Sequence, residues 1–399
     1  MANLLTAKKV KGFENFYKLV SYTIAPIVFK KIGFKSKRYK LSDDTFLLFS
    51  NHSSEIDPAF QVLKMNKYVR YVASDHLFVD PKQAKLLDVI ADPIINHHDR
   101  PHQELIDEIK ANIAAGINVG INVEGRMSNN GETGFVSMGN AKLVKECGCD
   151  LVTYRFIGGY LRGPRWSWEK RKAPVYGEIV HIYKAAELAE MTVEEVHNHI
   201  LEDIYVNAYD EQRKLMHKYI CENPAEHAEI ILYGCPKCHS VGHLHTKYDT
   251  MTCDCCDFTA KVDEYSFWHS EDLEFDNIVD WDRWQKELIR ADVEKNRGTD
   301  NLLYTHDHQK ILDTFGGAKD VVAEDGKLAL FADRFELTTD DGEVIVLPFE
   351  DLREVNYAGK QILQIVTDNH FYRVDCNGVY RAATQYVVAY RYFIGKENY

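Results

Sequence analysis

Residues 45–58 read Thr-Phe-Leu-Leu-Phe-Ser-Asn-His-Ser-Ser-Glu-Ile-Asp-Pro, an apolar run followed directly by polar residues and a proline. The run from Thr45 to Ser50 has the length and composition of a buried strand. Short strand-like runs and helical patterns then alternate, which predicts an α/β layer with a mainly parallel sheet and active residues at the carboxyl ends of its strands. Further strands are predicted over 68–73, 94–95 and 117–123, and helices over 59–65, 83–90 and 102–115.

The length and composition indicate a folded protein with several domains. A chain of 399 residues is two to three times the length of a typical domain. Its content of 45% hydrophobic and 27% charged residues is typical of folded proteins and excludes both wholesale disorder and a polytopic membrane protein. The formal net charge of -13 argues against a chain that wraps nucleic acid over its whole surface.

The charge is unevenly distributed. Residues 1–40 contain ten Lys or Arg and one acid, a balance of +9, so the remainder carries -22. Aromatic and aliphatic residues from Phe13 to Phe34 lie between these basic residues, but no run reaches the roughly 18 apolar residues needed to cross a bilayer. A cationic amphipathic arm favours contact with an anionic membrane surface. The alternative is an ordinary packed helix with a solvated basic face.

A cysteine cluster predicts a zinc ribbon. Cys235-Pro-Lys-Cys238 is followed, after 14 intervening residues, by Cys253-Asp-Cys-Cys256. Two such pairs supply four thiolates for a closed tetrahedral shell around Zn²⁺, which indicates a structural ion. Cys255 has the wrong spacing and is interpreted as a bystander. The alternative is a set of disulfides or buried thiols. Acidic neighbours favour a stabilising or docking role over nucleic-acid binding.

The regions around the cysteines complete the predicted domain organisation. Residues 192–222 have a long helical pattern opened by a Thr-x-x-Glu capping sequence, and turn-separated strands follow residue 302 up to a closing helix over 384–393. This end module resembles a small pleckstrin-homology-like (PH-like) barrel. We predict a basic aromatic arm over 1–40, an α/β domain over 41–222, a zinc ribbon over 228–270, a helical connector over 271–300 and a β-rich domain over 301–399.

His52 and Asp57 form a candidate catalytic pair. On a continuous helix, two residues five apart point in different directions, so these side chains meet only across a bend. The sequence predicts that bend, because His52 leaves a strand and Asp57-Pro58 has the pattern of a helix N-cap followed by proline at the first helical position. A carboxylate folded back onto the imidazole fixes its tautomer and leaves the other ring nitrogen as a general base. The alternative is a strand-end histidine beside a capping aspartate.

A second polar loop follows the strand predicted over 117–123. Glu124-Gly125-Arg126 places a carboxylate, a flexible glycine and a guanidinium together, and arginine suits bidentate recognition of phosphate. The alternative is a solvated turn.

These motifs, in this order, resemble the glycerophospholipid acyltransferase family, and most closely its 1-acylglycerol-3-phosphate branch, over roughly residues 40–220. The matching parts are Asn-His-x4-Asp at residues 51–57, a stretch ending in Arg100, and Glu-Gly with arginine at 124–126. The resemblance implies that His52 is the base and Asp57 its orienter, that Glu124 and Gly125 shape the acceptor site, and that Arg100 and Arg126 contact phosphate. Here the arginine comes one position early, and Met127 stands where arginine is usual.

The leading hypothesis is therefore a peripheral enzyme at the cytoplasmic face of a membrane, without a catalytic metal. It transfers an acyl group from acyl-CoA or acyl-carrier protein to a lysophospholipid or glycerol-3-phosphate type acceptor in phospholipid biosynthesis. The segment over 161–172, with five basic residues and two tryptophans, is interpreted as an interfacial patch or as a surface loop with cation-π contacts. The alternatives are a catalytically inactive lipid-binding scaffold and, least favoured, a zinc-ribbon protein that binds nucleic acid.

Overall fold

The computed structural model describes residues 4–78, 80–97, 100–377 and 381–396, so the extreme ends of the predicted arm and of the β-rich domain lie outside the described residues. The chain forms two compact units. The first contains Met1–Pro164 and Arg171–Tyr219, and the second contains Arg165–Lys170 and Ile220–Tyr399.

The first unit is built on a seven-stranded sheet with the order β1-β7-β6-β2-β5-β3-β4. All neighbouring strands are parallel except β6 and β7, so the predicted mainly parallel sheet is confirmed. The strands are β1 (Phe34–Lys35), β2 (Phe46–Ser50), β3 (Arg70–Ser74), β4 (Ile94–Asn96), β5 (Val119–Asn122), β6 (Asp150–Ile157) and β7 (Val175–Tyr183).

The central strand β2 is buried on both faces. Leu47 and Phe49 belong to the apolar core on one side of the sheet, and Phe46 and Leu48 belong to the core on the other side. Such two-sided burial explains why the strand is continuously apolar rather than alternating. Because β2 lies between β5 and β6, the residues that follow it emerge at the middle of the sheet edge.

Helices cover this sheet, and the predicted helical stretch over 192–222 is interrupted. Thr192 and Glu195 form the predicted capping box, but the first helix ends at Ile204 and the second at Leu215, after Asn207 has capped a new start. The helices of the first unit are α1 (Ala7–Tyr22), α2 (Ala25–Ile32), α3 (Asp57–Val62), α4 (Pro81–Ile90), α5 (His102–Ala114), α6 (Met138–Cys147), α7 (Gly159–Arg162), α8 (Ala185–Glu190), α9 (Val193–Ile204) and α10 (Ala208–Leu215).

The basic arm forms α1 and α2, which pack against the first unit with one side. Phe13 stacks on Tyr68 with ring centroids 4.8 Å apart, and Phe29 meets Phe60 edge-on at 5.2 Å. The other side remains exposed and carries large apolar residues. These are Phe16, Leu19, Tyr22, Ile24 and Ile27. Among the described residues, no helix has both the length and the apolar character required to cross a bilayer.

The second unit begins with a small antiparallel sheet that carries the cysteines, in the order β11-β10-β9-β8. Its strands are β8 (Leu244–Lys247), β9 (Thr250–Cys253), β10 (Thr259–Val262) and β11 (Trp268–His269). The predicted connector follows as α11 (Ile278–Asn296), whose Trp281 is buried and donates its indole N–H to the carbonyl of Gly234, next to the first cysteine pair.

A seven-stranded antiparallel sheet and a closing helix confirm the β-rich end of the chain. The strand order is β15-β14-β13-β12-β18-β17-β16, and α12 (Ala383–Phe393) contributes to the same core. The strands are β12 (Tyr304–Asp313), β13 (Asp320–Leu330), β14 (Arg334–Thr338), β15 (Val344–Pro348), β16 (Glu354–Ala358), β17 (Ile362–Val366) and β18 (Phe371–Cys376).

The tryptophan-containing loop packs within the second unit. Trp166 is only 2% exposed. Lys360 lies 4.7 Å from the ring centroid of Trp168 and donates to the carbonyl of Arg165 at 2.8 Å, while the Arg165 guanidinium lies 4.9 Å from the ring of Tyr357. This arrangement agrees with a loop stabilised by cation-π contacts. We call residues 165–170 the strap.

Candidate active site

The structure brings His52 and Asp57 together across the predicted bend. His52 follows the last residue of β2, and its Nδ1 lies 3.4 Å from Oδ2 of Asp57. The imidazole is 18% exposed, whereas the carboxylate is 1% exposed. A buried carboxylate beside Nδ1 can fix the orientation and tautomer of the ring, an arrangement that suits a general base.

Hydrogen bonds fix Asp57 in place. The N–H groups of Ser53 and Ser54 donate to Oδ2 at 2.7 and 2.8 Å, and the Ser54 hydroxyl donates to Oδ1. The helix α3 begins at Asp57 itself, with Ile56 as its cap, so the carboxylate does not cap α3 as the sequence predicts. It turns back to the loop that carries His52, which makes the loop and the carboxylate one rigid element.

Glu124 supports the same loop from the neighbouring strand. It is buried, and its two carboxylate oxygens accept the main-chain N–H groups of His52 at 2.7 Å and Gly134 at 2.6 Å. The carbonyl of His52 in turn accepts the N–H of Ser128 at 2.9 Å. Burial raises the pKa of Glu124 from 4.5 to about 7, although both N–H donors act in the opposite direction. Glu124 therefore holds the main chain at His52, and it also lines the pocket beside that residue.

A small, open pocket adjoins His52. One side consists of Asn51, His52 and Ser53, and the other includes Gly158, Gly159 and Tyr160. A Cβ atom at Gly159 would collide with the Ser53 hydroxyl oxygen and lie 2.9 Å from Ser53 Cβ, so any larger residue there would displace Ser53. The sequence interpretation missed this glycine pair and predicted no strand before it, although a Gly-Gly after the mostly apolar run over 151–157 was a readable signal of close approach.

Residues 31–157 match the model of the family described as Acyltransferase. The matched segment contains His52, Asp57, Glu124 and the strands β2 to β6 that position them. Residues 31–157 are therefore similar to this family, and we call them the acyltransferase domain.

Two solved structures are similar to parts of this chain. The 1-acyl-sn-glycerophosphate (LPA) acyltransferase PlsC from Thermotoga maritima is 16% identical, with 53% of this chain and 84% of that chain covered and a TM-score of 0.42. The Vps36 N-terminal PH domain is 15% identical, with 25% of this chain and 83% of that chain covered and a TM-score of 0.21. The chain has no significant match among curated proteins.

The predicted phosphate contacts lie on two other loops of the acyltransferase domain. Arg126 is half-buried and follows Gly125, whose positive φ of 69° turns the chain after β5. Arg100 is exposed and follows β4 at the edge of the sheet. β4 lies three strands from β2, roughly 14 Å away at the usual strand spacing. Arg126 therefore lies on the loop after β5, which is adjacent to β2, whereas Arg100 lies on the loop after β4, at the edge of the sheet.

The four predicted zinc ligands converge in the second unit. The Sγ atoms of Cys235, Cys238, Cys253 and Cys256 all lie within 4.8 Å of one another. The Cys235–Cys256 and Cys238–Cys253 sulfur distances are 3.7 and 3.8 Å. A tetrahedral zinc with Zn–S bonds of about 2.3 Å requires sulfur separations of about 3.8 Å, so the four thiols fit this ion. The structure thus contains a candidate metal-binding cluster in which Cys255 takes no part.

Proposed function

We propose that the protein is an O-acyltransferase that moves an acyl group from acyl-CoA or acyl-carrier protein to a lysophospholipid or glycerol-3-phosphate type acceptor. The favoured acceptor is 1-acylglycerol 3-phosphate, and the process served is phospholipid biosynthesis. The observation that carries the proposal is the contact between His52 and the buried carboxylate of Asp57. Both residues lie inside the segment that matches the acyltransferase family.

In the proposed reaction, His52 Nε2 removes the proton of an acceptor hydroxyl as its oxygen attacks the thioester carbonyl. The tetrahedral intermediate collapses with cleavage of the carbon–sulfur bond, and the departing thiolate takes the proton from the imidazolium. Asp57 keeps the ring in the required tautomer and stabilises its positive charge. Arg126, with Arg100, is proposed to bind the acceptor phosphate, and Glu124 and Gly125 are proposed to shape the loop that carries Arg126.

The four-cysteine cluster is proposed to hold a structural Zn²⁺. With four thiolate ligands the shell is closed, so the ion would cross-link the ribbon and leave no position for a substrate. The catalytic steps above use only side chains of the acyltransferase domain.

An acceptor screen tests the proposed reaction. With an acyl-CoA donor, we expect thiol release in the presence of lysophosphatidate or glycerol 3-phosphate and none above background without an acceptor. A lysophospholipid with a choline headgroup should be at least about 10-fold poorer, because it lacks the dianionic phosphate that arginines bind. Release that does not depend on the acceptor would indicate a thioesterase. No release with any donor would favour the inactive lipid-binding scaffold.

We also propose that α1 and α2 hold the protein at the cytoplasmic face of an anionic membrane, where the acceptor is found. The exposed side of these helices presents Leu19, Tyr22, Ile24 and Ile27, and Ile27 is 72% exposed. Exposed Lys18, Lys30 and Lys31 lie beside them. Apolar side chains flanked by lysines suit the boundary between acyl chains and anionic headgroups.

Replacing Leu19 and Ile27 together by glutamate is expected to weaken binding to vesicles that contain anionic phospholipid by at least about 10-fold. The change removes apolar side chains worth about 1.5 kcal/mol or more each on burial and adds two negative charges. Co-sedimentation measures the effect. The matched control places glutamate at Val344 and Val346, two exposed apolar residues of the second unit. Equal binding by both double variants would contradict the proposal.

A further inference from the structure

Asn51 joins the two sides of the pocket through its side-chain amide. The side chain is buried, and the residue is 4% exposed. Its Nδ2 donates to the carbonyl of Phe156 at 2.9 Å, and its Oδ1 accepts the N–H of Phe156 at 2.8 Å. Both hydrogen-bonding groups of one side chain are therefore used on the main chain of one residue.

This amide lies where main-chain pairing between two central strands ends. β2 and β6 are in register up to the pair Ser50 and Tyr154. Beyond that pair the strands diverge, because β2 turns into the His52 loop while β6 continues beside β7. The Asn51 amide supplies both a donor and an acceptor, so it replaces a missing rung of the ladder.

The segment fixed by this rung forms the far side of the pocket. Phe156 leads within three residues to Gly158 and Gly159, which line the pocket opposite His52 and Ser53. Gly159 is already so close to Ser53 that a Cβ atom there would collide with the hydroxyl. The width of the pocket at His52 therefore depends on how firmly the residue 156 main chain is held.

We propose that Asn51 is a positioning residue that sets the gap between His52 and the Gly158–Gly159 backbone. This inference rests on the proposed acyl transfer, in which the acceptor hydroxyl and the thioester carbonyl must both fit beside Nε2 of His52. A reacting atom misplaced by about 1 Å costs roughly 100-fold in rate. Asn51 acts through the main chain that it holds and does not itself exchange a proton.

The first test compares Asn51→Ala with a matched variant. We expect Asn51→Ala to lower kcat about 100-fold while KM for the acyl donor changes less than about threefold. Asn118→Ala is the control, because its amide also bridges two main-chain segments, accepting from the Phe46 N–H at the start of β2 and donating to the Tyr68 carbonyl just before β3. It should lose thermal stability to a similar extent and keep its kcat. Equal kcat losses in both variants would overturn the proposal.

A double-mutant cycle separates positioning from general stability. Gly159→Ala alone should lower kcat strongly, because the added Cβ would lie 2.9 Å from Ser53 Cβ, a contact that rotation of the Ser53 hydroxyl does not relieve. In the Asn51→Ala background the Gly158–Gly159 backbone is free to move away from Ser53. Adding Gly159→Ala to that variant should therefore lower kcat by no more than about tenfold. If the kcat losses of the two single variants multiply in the double variant, the Asn51 amide does not control the gap between His52 and the Gly158–Gly159 backbone.

Chemical modification of His52 tests the role of Asn51 without measuring acyl transfer, so its outcome does not depend on the proposed function. Diethyl pyrocarbonate acylates neutral imidazole, and its rate at His52 can be followed on the peptide that contains this residue among the 17 histidines. Asn51→Ala should increase that rate at least about threefold, because the pocket opens. If the unsubstituted protein releases no thiol, the proposed function fails, yet this comparison still decides the inference. An unchanged rate would overturn it.

Discussion

His52→Ala is expected to lower kcat for acyl transfer by about 1000-fold, with the fold and the lipid binding unchanged. A positioned general base contributes roughly 10²- to 10⁴-fold, and His52 is the imidazole whose Nδ1 faces the buried Asp57. The side chain is partly exposed and its loop is held through main-chain bonds to Glu124 and Ser128, so its removal should cost little stability. Thiol release under saturating acyl-CoA and lysophosphatidate measures the loss.

Another histidine provides the control for this variant. His102 is exposed at the start of α5, and His102→Ala should retain full activity. Thermal unfolding and vesicle binding of both variants should match the unsubstituted protein. Full activity in the His52 variant would remove the proposed base, whereas loss of lipid binding would point to a scaffold role for this loop.

Cys253→Ser is expected to abolish stoichiometric zinc binding and to unfold the ribbon in the second unit. A closed four-thiolate site contributes roughly 10 kcal/mol or more of folding free energy, far more than a four-stranded sheet of short strands supplies by itself. Metal analysis of the purified protein should give one zinc per chain before the substitution. The loss should appear as an early thermal transition and as rapid proteolysis within residues 235–256.

Cys255→Ser is the matched control, because Cys255 is exposed and lies outside the cluster. Its contact with the cluster is a main-chain N–H that donates to Cys253 Sγ at 3.4 Å, which serine retains. This variant should keep its zinc and its thermal transition. Equal zinc content in both serine variants, or no zinc in the unsubstituted protein, would contradict the structural-zinc proposal.

The sequence predicted those parts of the fold that depend on local patterns. The apolar run before Ser50 identified the central strand, because a strand buried on both faces excludes polar residues. The bend between His52 and Asp57 followed from a strand end and an Asp-Pro pair. The cysteine spacing identified the four thiols that the structure brings together, since a ribbon joins its two cysteine pairs through local hairpins.

Features that depend on distant residues were not predictable in this way. The carboxylate of Glu124 was assigned to the acceptor site by resemblance. Its burial and its bond to the His52 N–H depend on β5 lying beside β2, and its second bond depends on the chain folding back so that Gly134 N–H reaches it. The need for glycine after β6 follows from the contact of Gly159 with Ser53, which lies more than 100 positions earlier in the chain. Likewise, Trp166 is buried because residues 165–170 pack within the second unit. The local pattern of tryptophan and basic residues does not indicate that packing.

The strap has a consequence for how this protein is divided. The chain passes between the two units three times, after Pro164, after Lys170 and after Tyr219. No single cut separates the acyltransferase domain from the rest, because any fragment ending near residue 219 retains Trp166 and Trp168 without Lys360 and Tyr357, which pack on the strap. Such a fragment would carry a newly uncovered aromatic surface of the kind that drives aggregation. The two units therefore have to be produced, and compared among relatives, as one inseparable chain.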